Sequence, residues 1–258
     1  MKKLIVTNLY KSYAKRSDSS KSLVLNNISF AIETGEILGI VGESGCGKST
    51  LSRLIAGLEE PDSGTIEIDG ELQGVISKFN LRNVQRSVQM VFQDPYSSLN
   101  PRQSIRVSLL EVVNLYNPDF DLSQKEKLVT DLLSKVGIGP ELADRYPHQF
   151  SGGQRQRICI ARSLAAKPSL LILDEPVSAL DVSVRAEIVN LLLQLKRDFS
   201  LTYIFVSHDL DLVKHVSDHI LVMFKGEIVE IGDWKEVMES PKHNYTKTLI
   251  AAAPKHLN

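Results

Sequence analysis

The most informative segment of the chain is the glycine-rich sequence Gly42-Glu43-Ser44-Gly45-Cys46-Gly47-Lys48-Ser49-Thr50. It stands between an apolar run at residues 36–41, which predicts a strand, and a segment at residues 48–57, which predicts a helix. Glycines allow positive φ, so that backbone N–H groups can turn inward around phosphate oxygens, and the helix N-terminus adds partial positive charge. In such a loop Lys48 reaches the β- and γ-phosphates of a nucleotide and the Ser49 hydroxyl binds Mg²⁺. The pattern predicts a phosphate-binding loop; the alternative is a glycine turn followed by a chance Lys-Ser pair.

Two acidic residues follow the apolar run at residues 170–173, which is typical of a parallel strand buried on both faces. Asp174 can bind Mg²⁺ directly or through water, because Mg²⁺ prefers oxygen ligands and keeps waters. Glu175 can polarise an attacking water. An ordinary acidic loop start is the alternative, and the phosphate-binding loop upstream favours the catalytic interpretation.

The sequence Ser151-Gly152-Gly153-Gln154 predicts a second helix start. Ser151 as N-cap and Gln154 three residues later form a capping box. Two glycines in a first turn cost about 1 kcal/mol each relative to alanine, which favours a site where the backbone must approach another group closely. We therefore expect a second helix N-terminus open to an anion.

Hydrophobic periodicity predicts the remaining elements. Strands are expected at residues 4–7, 24–32, 36–41, 65–69, 88–92, 170–173, 203–206, 220–223 and 228–231, and helices at residues 48–57, 104–115, 123–136, 154–166 and 181–199. The polar residues 14–22 predict a loop. The layout is an α/β core with a helical insertion.

Composition narrows the function classes. The chain has 258 residues, of which 43% are hydrophobic, and a net charge of −1. The sequence has no block of basic residues that would indicate a nucleic-acid groove. It also has no segment with the roughly 18 apolar residues of a membrane span. The two cysteines, Cys46 and Cys159, have no ligand spacing, so neither a disulfide nor a metal site is expected. Lys48 and the helix start are expected to lower the Cys46 pKa, whereas Cys159 is expected to be buried and inert.

The ordered set of these motifs resembles the ATPase subunit of ABC transporters, and the resemblance covers almost the whole chain. It implies a single domain over residues 1–258, with a P-loop NTPase core, a mostly parallel sheet, an antiparallel β subdomain and an inserted α-helical subdomain. The implied boundaries are residues 1–94 and 167–240 for the core with its β subdomain, 95–166 for the helical subdomain and 241–258 for a C-terminal segment.

The resemblance also implies roles that spacing alone does not give. Residues 151–154 would reach the γ-phosphate bound by the opposite subunit's loop. Gln93 would touch Mg²⁺ and sense a transmembrane partner, and His208 would contact the γ-phosphate as a switch histidine. Asp181, in a segment that crosses the dimer interface, has helix capping as its local role.

Tyr13 stands where the family places an aromatic ring against adenine, and core packing is its alternative. The implied catalytic residues are Glu175, His208 and Lys48, and the implied metal ligands are Ser49, Gln93 and Asp174. The implied cofactors are ATP and Mg²⁺, with nucleotide contacts from Tyr13, Gly42, Glu43, Ser44, Gly45, Cys46, Gly47, Lys48, Ser49, Thr50, Gln93, Ser151, Gly152, Gly153, Gln154 and Asp181.

Residues 93–102 and 243–254 resemble the corresponding segments of oligopeptide, dipeptide and nickel importers, and residues 176–185 resemble their second ATPase subunit. The resemblance implies two transmembrane permease subunits, a second related ATPase subunit in a head-to-tail dimer, and an extracytoplasmic solute-binding protein as an indirect partner. No nucleic-acid partner is implied. The implied location is the cytoplasmic face of the cell membrane, as a peripheral subunit.

Peptides, nickel and metal chelates all remain possible substrates at this point. The alternative function is the ATPase head of a DNA-repair or translation factor. DNA-repair heads carry long coiled coils where this chain has a short helical insertion, and translation factors carry two sets of these motifs where this chain has one.

Overall fold

The structure is a computed structural model, and it describes residues 1–14, 21–72 and 85–252. The loop predicted at residues 14–22 falls mostly on residues 15–20, outside the described ranges. The described residues form two compact units, one from the described parts of Met1–Gln85 and Thr202–Asn258 and one of residues Arg86–Leu201. We call them unit 1 and unit 2.

The elements are numbered in chain order. The strands are β1 Lys2–Ala14, β2 Lys21–Glu33, β3 Ile37–Val41, β4 Ser63–Ile68, β5 Glu71–Leu72, β6 Val88–Val91, β7 Leu170–Asp174, β8 Thr202–Val206, β9 His219–Phe224 and β10 Glu227–Asp233. The helices are α1 Lys48–Ile55, α2 Pro95–Ser98, α3 Ile105–Tyr116, α4 Leu122–Lys135, α5 Gly152–Leu164, α6 Val182–Phe199, α7 Leu210–Val216, α8 Trp234–Glu239 and α9 Asn244–Ala252, with 3-10 turns at Pro140–Leu142 and Pro147–Gln149.

Unit 1 contains an antiparallel sheet with the strand order β2-β1-β4-β5. Val6 of β1 lies opposite Phe30 of β2 and opposite Ile66 of β4, and all three side chains are buried. One face of this sheet is therefore part of a hydrophobic core, as period-2 alternation requires.

Unit 1 also contains the strands that carry the phosphate-binding loop, in the order β10-β9-β3-β8. Strand β3 is parallel to β8 and to β9, and every residue of β3 and of β8 is buried. Their continuous apolar sequences fit this position, because a parallel strand is covered on both faces. The carboxyl end of β3 leads into the loop at residues 42–47, and that of β8 leads to His208.

Unit 2 pairs β6 with β7 in parallel and adds helices α2 to α6. All five residues of β7 are buried. Helix α5 presents Ile158, Ala161 and Leu164 to the interior, at the three-residue spacing expected of one helix face. This arrangement places Asp174 and Glu175 at the carboxyl end of a buried strand.

The strands and helices predicted from periodicity are present, with ends that differ by a few residues. The largest difference is β1, predicted at residues 4–7 and observed at Lys2–Ala14. Asn8 has φ 46°, and the pairing register shifts between Val6 and Leu9, so a bulge interrupts the alternation on which the prediction depended. Among the described residues, no helix is both long enough and apolar enough to cross a membrane.

Candidate nucleotide site

The phosphate-binding loop, residues 42–47, is held together by the lysine that follows it. Lys48 is buried, and its ammonium donates to the carbonyl oxygens of Gly42 at 2.7 Å and Glu43 at 2.9 Å. The Cys46 amide donates to the Glu43 carbonyl at 3.3 Å. The predicted strand–loop–helix is therefore observed, with the ammonium of Lys48 drawn across the loop.

Two glycines of the loop meet neighbouring backbone closely. A Cβ at Gly47, where φ is 111°, would lie 2.7 Å from Leu25 Cδ2 and 3.0 Å from the Val24 carbonyl. A Cβ at Gly42 would collide with the Met223 carbonyl of β9. The β9–β10 turn adds a hydrogen bond, from the Gly226 amide to the Cys46 carbonyl at 3.0 Å. Glycine is thus required by packing as well as by positive φ.

Tyr13 lies at the end of β1 and is 37% exposed, so the core-packing alternative is wrong. Its hydroxyl donates to the Glu59 carboxylate, and the Lys11 ammonium lies 5.3 Å from its ring centroid. Partial burial, followed by the Glu59 bond, raises the Tyr13 pKa. An exposed ring of this kind can stack on a planar ligand.

His208 follows β8 and is exposed. The neighbouring Ser207 hydroxyl accepts a hydrogen bond from the Asp209 amide at 3.0 Å, and the Asp209 carboxylate in turn accepts from the Leu212 amide at the start of α7. Asp209 is therefore the N-cap of α7, and His208 lies exposed between β8 and this cap.

In unit 2 the structure brings Gln93 and Glu175 together. The Gln93 side-chain amide donates to the Glu175 carboxylate at 3.1 Å. Glu175 has φ 49°, in the left-handed region that a non-glycine residue seldom occupies. Asp174, by contrast, belongs to β7 and is buried. The Glu175 backbone is therefore strained at the point where its carboxylate meets Gln93.

The helix start predicted at Ser151 is confirmed. The Ser151 hydroxyl accepts from the Gln154 amide at 3.3 Å, and the Gln154 side chain accepts from the Ser151 amide at 3.0 Å, which completes a capping box. A Cβ at Gly153 would lie 2.5 Å from Val184 Cγ1 of helix α6, whereas one at Gly152 would meet Leu180 at an ordinary 3.5 Å. Packing against Val184 therefore explains the glycine at position 153, whereas packing within the chain does not require a glycine at position 152.

Helix α5 also binds the segment that follows Gln93, which sequence reasoning missed. The Arg155 guanidinium lies 3.7 Å from the centroid of the Tyr96 ring, and the Arg162 guanidinium donates to the Ser98 carbonyl at 3.0 Å. Asp94 caps this segment by accepting from the Tyr96 amide at 2.8 Å. Stacked arginine on an aromatic ring contributes on the order of 1 kcal/mol.

Asp181 occupies the N-cap position of α6, but its side chain makes no capping hydrogen bond and is exposed. The turn before α6 is instead stabilised by a side chain from within the helix. The Arg185 guanidinium donates to the carbonyls of Leu180 at 2.7 Å and Ser178 at 3.2 Å. The Asp181 carboxylate is therefore not used for capping.

The described residues hold no group of three or more His, Cys, Asp or Glu side chains that could bind a metal by themselves. Mg²⁺ is usually held by one or two carboxylates together with phosphate oxygens and water. Asp174, 8% exposed, offers a carboxylate of this kind. The donor set is therefore suited to Mg²⁺ that is bound together with a nucleotide.

The expectation of a lowered Cys46 pKa is wrong. Cys46 is buried, and burial raises its pKa by more than the nearby Lys48 ammonium lowers it. Burial also raises the pKa of Cys159 to about 12, which agrees with the inert thiol expected there. Proximity of positive charge is readable from sequence, but the loss of water around the thiol is not.

Comparison with known proteins identifies the family. The ABC transporter family matches residues 25–178. The oligopeptide transport ATP-binding protein AppF of Bacillus subtilis is 47% identical over 231 residues, which cover 89% of this chain and 70% of the relative. The glutathione import ATP-binding protein GsiA of Escherichia coli is 48% identical over 232 residues, covering 89% of this chain and 37% of the relative.

Solved structures agree with this. The dimeric post-hydrolysis state of an ATP-binding cassette bound to ADP and Pi has a TM-score of 0.80 at 27% identity, and the match covers 90% of this chain and 98% of that one. CbiO1 of Clostridium perfringens, part of an ABC transporter complex, has a TM-score of 0.80 at 32% identity, covering 92% and 90%. These matches confirm the predicted α/β fold, nucleotide binding and ATPase activity. The chain belongs to the ABC transporter family, as one of its ATP-hydrolysing subunits.

Proposed function

We propose that this chain hydrolyses ATP to power the import of peptides across the cell membrane. Relatives named for oligopeptides, di/tripeptides and glutathione support peptides as the substrate class. The proposed partners are two transmembrane permease subunits and a second, related ATPase subunit arranged head to tail, with a solute-binding protein acting indirectly. The proposed location is the cytoplasmic face of the membrane.

In this proposal residues 42–50 bind the phosphates of ATP, with Lys48 on the β- and γ-phosphates and Tyr13 against the adenine. Ser49, Gln93 and Asp174 are the proposed Mg²⁺ ligands. Bound Mg²⁺ would supply charge neutralisation on the phosphates. Ser151, Gly152, Gly153 and Gln154, with Asp181, would serve the nucleotide held by the partner ATPase.

The observation that carries the proposal is the hydrogen bond between Gln93 and Glu175. Glu175 is the proposed general base, and His208 would contact the γ-phosphate. A base whose carboxylate is held by the amide of Gln93 can be oriented by whatever moves Gln93. Since Gln93 begins the segment proposed to face the permease, this bond offers a direct way to link transport to hydrolysis.

The same segment has a surface suited to a partner. Tyr96 is 61% exposed although its ring is stacked on the buried Arg155, and Phe92 is 40% exposed. Aromatic side chains are enriched at protein interfaces. We propose that the helical subdomain, residues 95–166, receives the permease through this surface.

The alternative, an ATPase head of a DNA-repair or translation factor, has less support. The relatives described above are transport proteins. No observation on the described residues favours nucleic acid as a ligand, so peptide import is the better proposal.

The test uses cells from which this chain has been deleted and which are complemented with either the wild type or the Glu175→Gln variant. The amide keeps the size of Glu175 but cannot accept the proton of the attacking water. We expect Glu175→Gln to bind ATP normally, to lose hydrolysis by roughly 10²- to 10⁴-fold, and to abolish uptake of labelled di- and oligopeptides.

A matched pair of tyrosines tests the coupling surface. Tyr96→Leu is expected to lower uptake while ATP binding is unchanged, and Tyr146→Leu, also on an exposed tyrosine of unit 2, is expected to change neither. Cells that lose Ni²⁺ uptake and keep peptide uptake would contradict the proposed substrate class. Near wild-type hydrolysis by Glu175→Gln would contradict the assigned base.

A further inference from the structure

Helix α9 contacts the phosphate-binding loop through the Tyr245 side chain. The Tyr245 hydroxyl accepts a hydrogen bond from the Glu43 amide at 3.0 Å. The Tyr245 ring stacks on Phe224 of β9, with ring centroids 4.1 Å apart and planes inclined by 30°. Both contacts lie within unit 1, and neither ring is among the proposed nucleotide contacts.

Tyr245 contacts the residue whose carbonyl holds Lys48. The Glu43 amide donates to Tyr245, while the Glu43 carbonyl accepts from the Lys48 ammonium at 2.9 Å and from the Cys46 amide at 3.3 Å. Both backbone groups of Glu43 are therefore engaged, although its side chain is exposed. The Glu43 N–H shares one peptide unit with the Gly42 carbonyl, which also accepts from the Lys48 ammonium, so rotating that unit would displace the lysine.

Helix α9 is itself fixed at its start. The Glu230 carboxylate of β10 accepts from the amides of Lys242 at 2.8 Å and His243 at 3.0 Å. The His243 ring nitrogen Nδ1 accepts from the Tyr245 amide at 3.1 Å, so a donor in the first turn of α9 is satisfied from just before the helix. Burial acts to raise the Glu230 pKa, but these hydrogen bonds outweigh it and the pKa is lowered.

We propose that Tyr245 is a positioning residue for ATP binding, which acts through Glu43 to hold Lys48 and the loop in the geometry that accepts phosphates. The C-terminal segment is then a brace of the nucleotide site. This proposal depends on ATP binding at the loop and not on the identity of the transported substrate.

The decisive variant is Tyr245→Phe, which keeps a ring that can stack on Phe224 and removes the hydroxyl. The control is Thr248→Ala on the same helix, whose hydroxyl donates within α9 to the Asn244 carbonyl at 3.1 Å. We expect Tyr245→Phe to raise the dissociation constant for ATP by about 3- to 10-fold, the range for one lost hydrogen bond. Thr248→Ala should leave it unchanged.

A second readout needs no nucleotide. Cys46 is buried in the loop, so its labelling by a small maleimide reports how often the loop opens. Tyr245→Phe should speed Cys46 labelling several-fold and leave Cys159 labelling unchanged. Glu230→Gln, which weakens the anchor of α9 without touching the loop, should shift both readouts in the same direction by less.

The outcomes separate the two proposals. Weaker ATP binding together with faster Cys46 labelling supports the brace, with the kcat of the assembled transporter at saturating ATP little changed. Unchanged labelling and unchanged affinity in Tyr245→Phe would overturn it, as would equal effects from Thr248→Ala. A third outcome is faster Cys46 labelling in Tyr245→Phe together with no ATP binding by the wild-type chain. That result would show that Tyr245 holds the loop, and it would reject the role of the loop in ATP binding.

Discussion

Two glycine-rich helix starts carry the expected phosphate chemistry of this chain, and they are built on different principles. In the phosphate-binding loop the glycines have positive φ, 149° at Gly42, 81° at Gly45 and 111° at Gly47. Helix α1 begins after Gly47 without any side-chain cap. At α5 neither Gly152 nor Gly153 has positive φ, and Ser151 and Gln154 form a complete capping box.

The difference shows what glycine does at each place. In the first loop glycine makes the backbone path possible, because L-residues resist left-handed conformations. At α5 the backbone is ordinary helix, so glycine serves only to keep Cβ atoms out of the way. A helix start without a side-chain cap is typical of a helix end that binds a ligand, whereas at α5 the Gln154 amide already donates to the Ser151 hydroxyl.

The largest expected effect is at Gly47. Gly47→Ala places a methyl group at φ 111° and 2.7 Å from Leu25. We expect a loss of about 2–4 kcal/mol in the free energy of unfolding, from left-handed strain and overpacking together, and a severe loss of ATP binding. Urea unfolding and nucleotide titration measure these.

Gly45→Ala is the matched control for that prediction. Gly45 has φ 81°, but a Cβ there meets nothing within 4 Å, so strain is its only cost. We expect about 1–2 kcal/mol for this variant. If Gly45→Ala destabilises the chain as much as Gly47→Ala does, backbone conformation alone explains the loop and the packing argument fails.

The next effect separates the two glycines of α5. Gly153→Ala must displace the Val184 side chain, and we expect a loss of about 1–2 kcal/mol in the free energy of unfolding. Gly152→Ala has room, with Leu180 at 3.5 Å, and should be neutral or stabilise by up to about 1 kcal/mol through helix propensity. Thermal melts of both variants test this.

Val184→Ala makes the cause specific. Combined with Gly153→Ala it should restore most of the lost stability, because the clashing methyl is gone.

Gly152→Ala should also keep ATP binding by the single chain and lower hydrolysis by the assembled pair. A stable Gly152→Ala variant with full hydrolysis would show that this glycine faces nothing in the active assembly.

Much of this arrangement could be predicted because its determinants are local. The Ser151 capping box lies within four residues, and the buried strand β7 is marked by its uninterrupted apolar run. Bulges are different: the positive φ of Asn8 hides the continuation of β1, since the side-chain alternation resumes one residue out of step.

The contacts that join the motifs could not be predicted, because their partners are distant in sequence. Gln93 meets Glu175 across 82 residues, and Tyr245 meets Glu43 across 202. Each of these residues lies in a segment that the sequence analysis singled out, but the sequence does not indicate which distant side chain it contacts. Only the fold brings the pairs together, and it is these pairs that suggest how the site is controlled.

The smallest expected effect concerns the two cysteines, one behind each glycine-rich start. With its pKa raised to about 12, Cys159 should be ionised in roughly one molecule in 10,000 at pH 8, and maleimide should scarcely label it. Cys46, whose pKa burial also raises, should react more slowly than a free thiol of pKa about 8.5, and faster than Cys159. Labelling rates from pH 7 to pH 9, read by mass spectrometry beside N-acetylcysteine, measure both, and Cys46→Ser assigns the signal. If Cys46 instead reacted faster than the free thiol, the charge of Lys48 would outweigh burial, and the phosphate-binding loop would be more open to water than its buried thiol indicates.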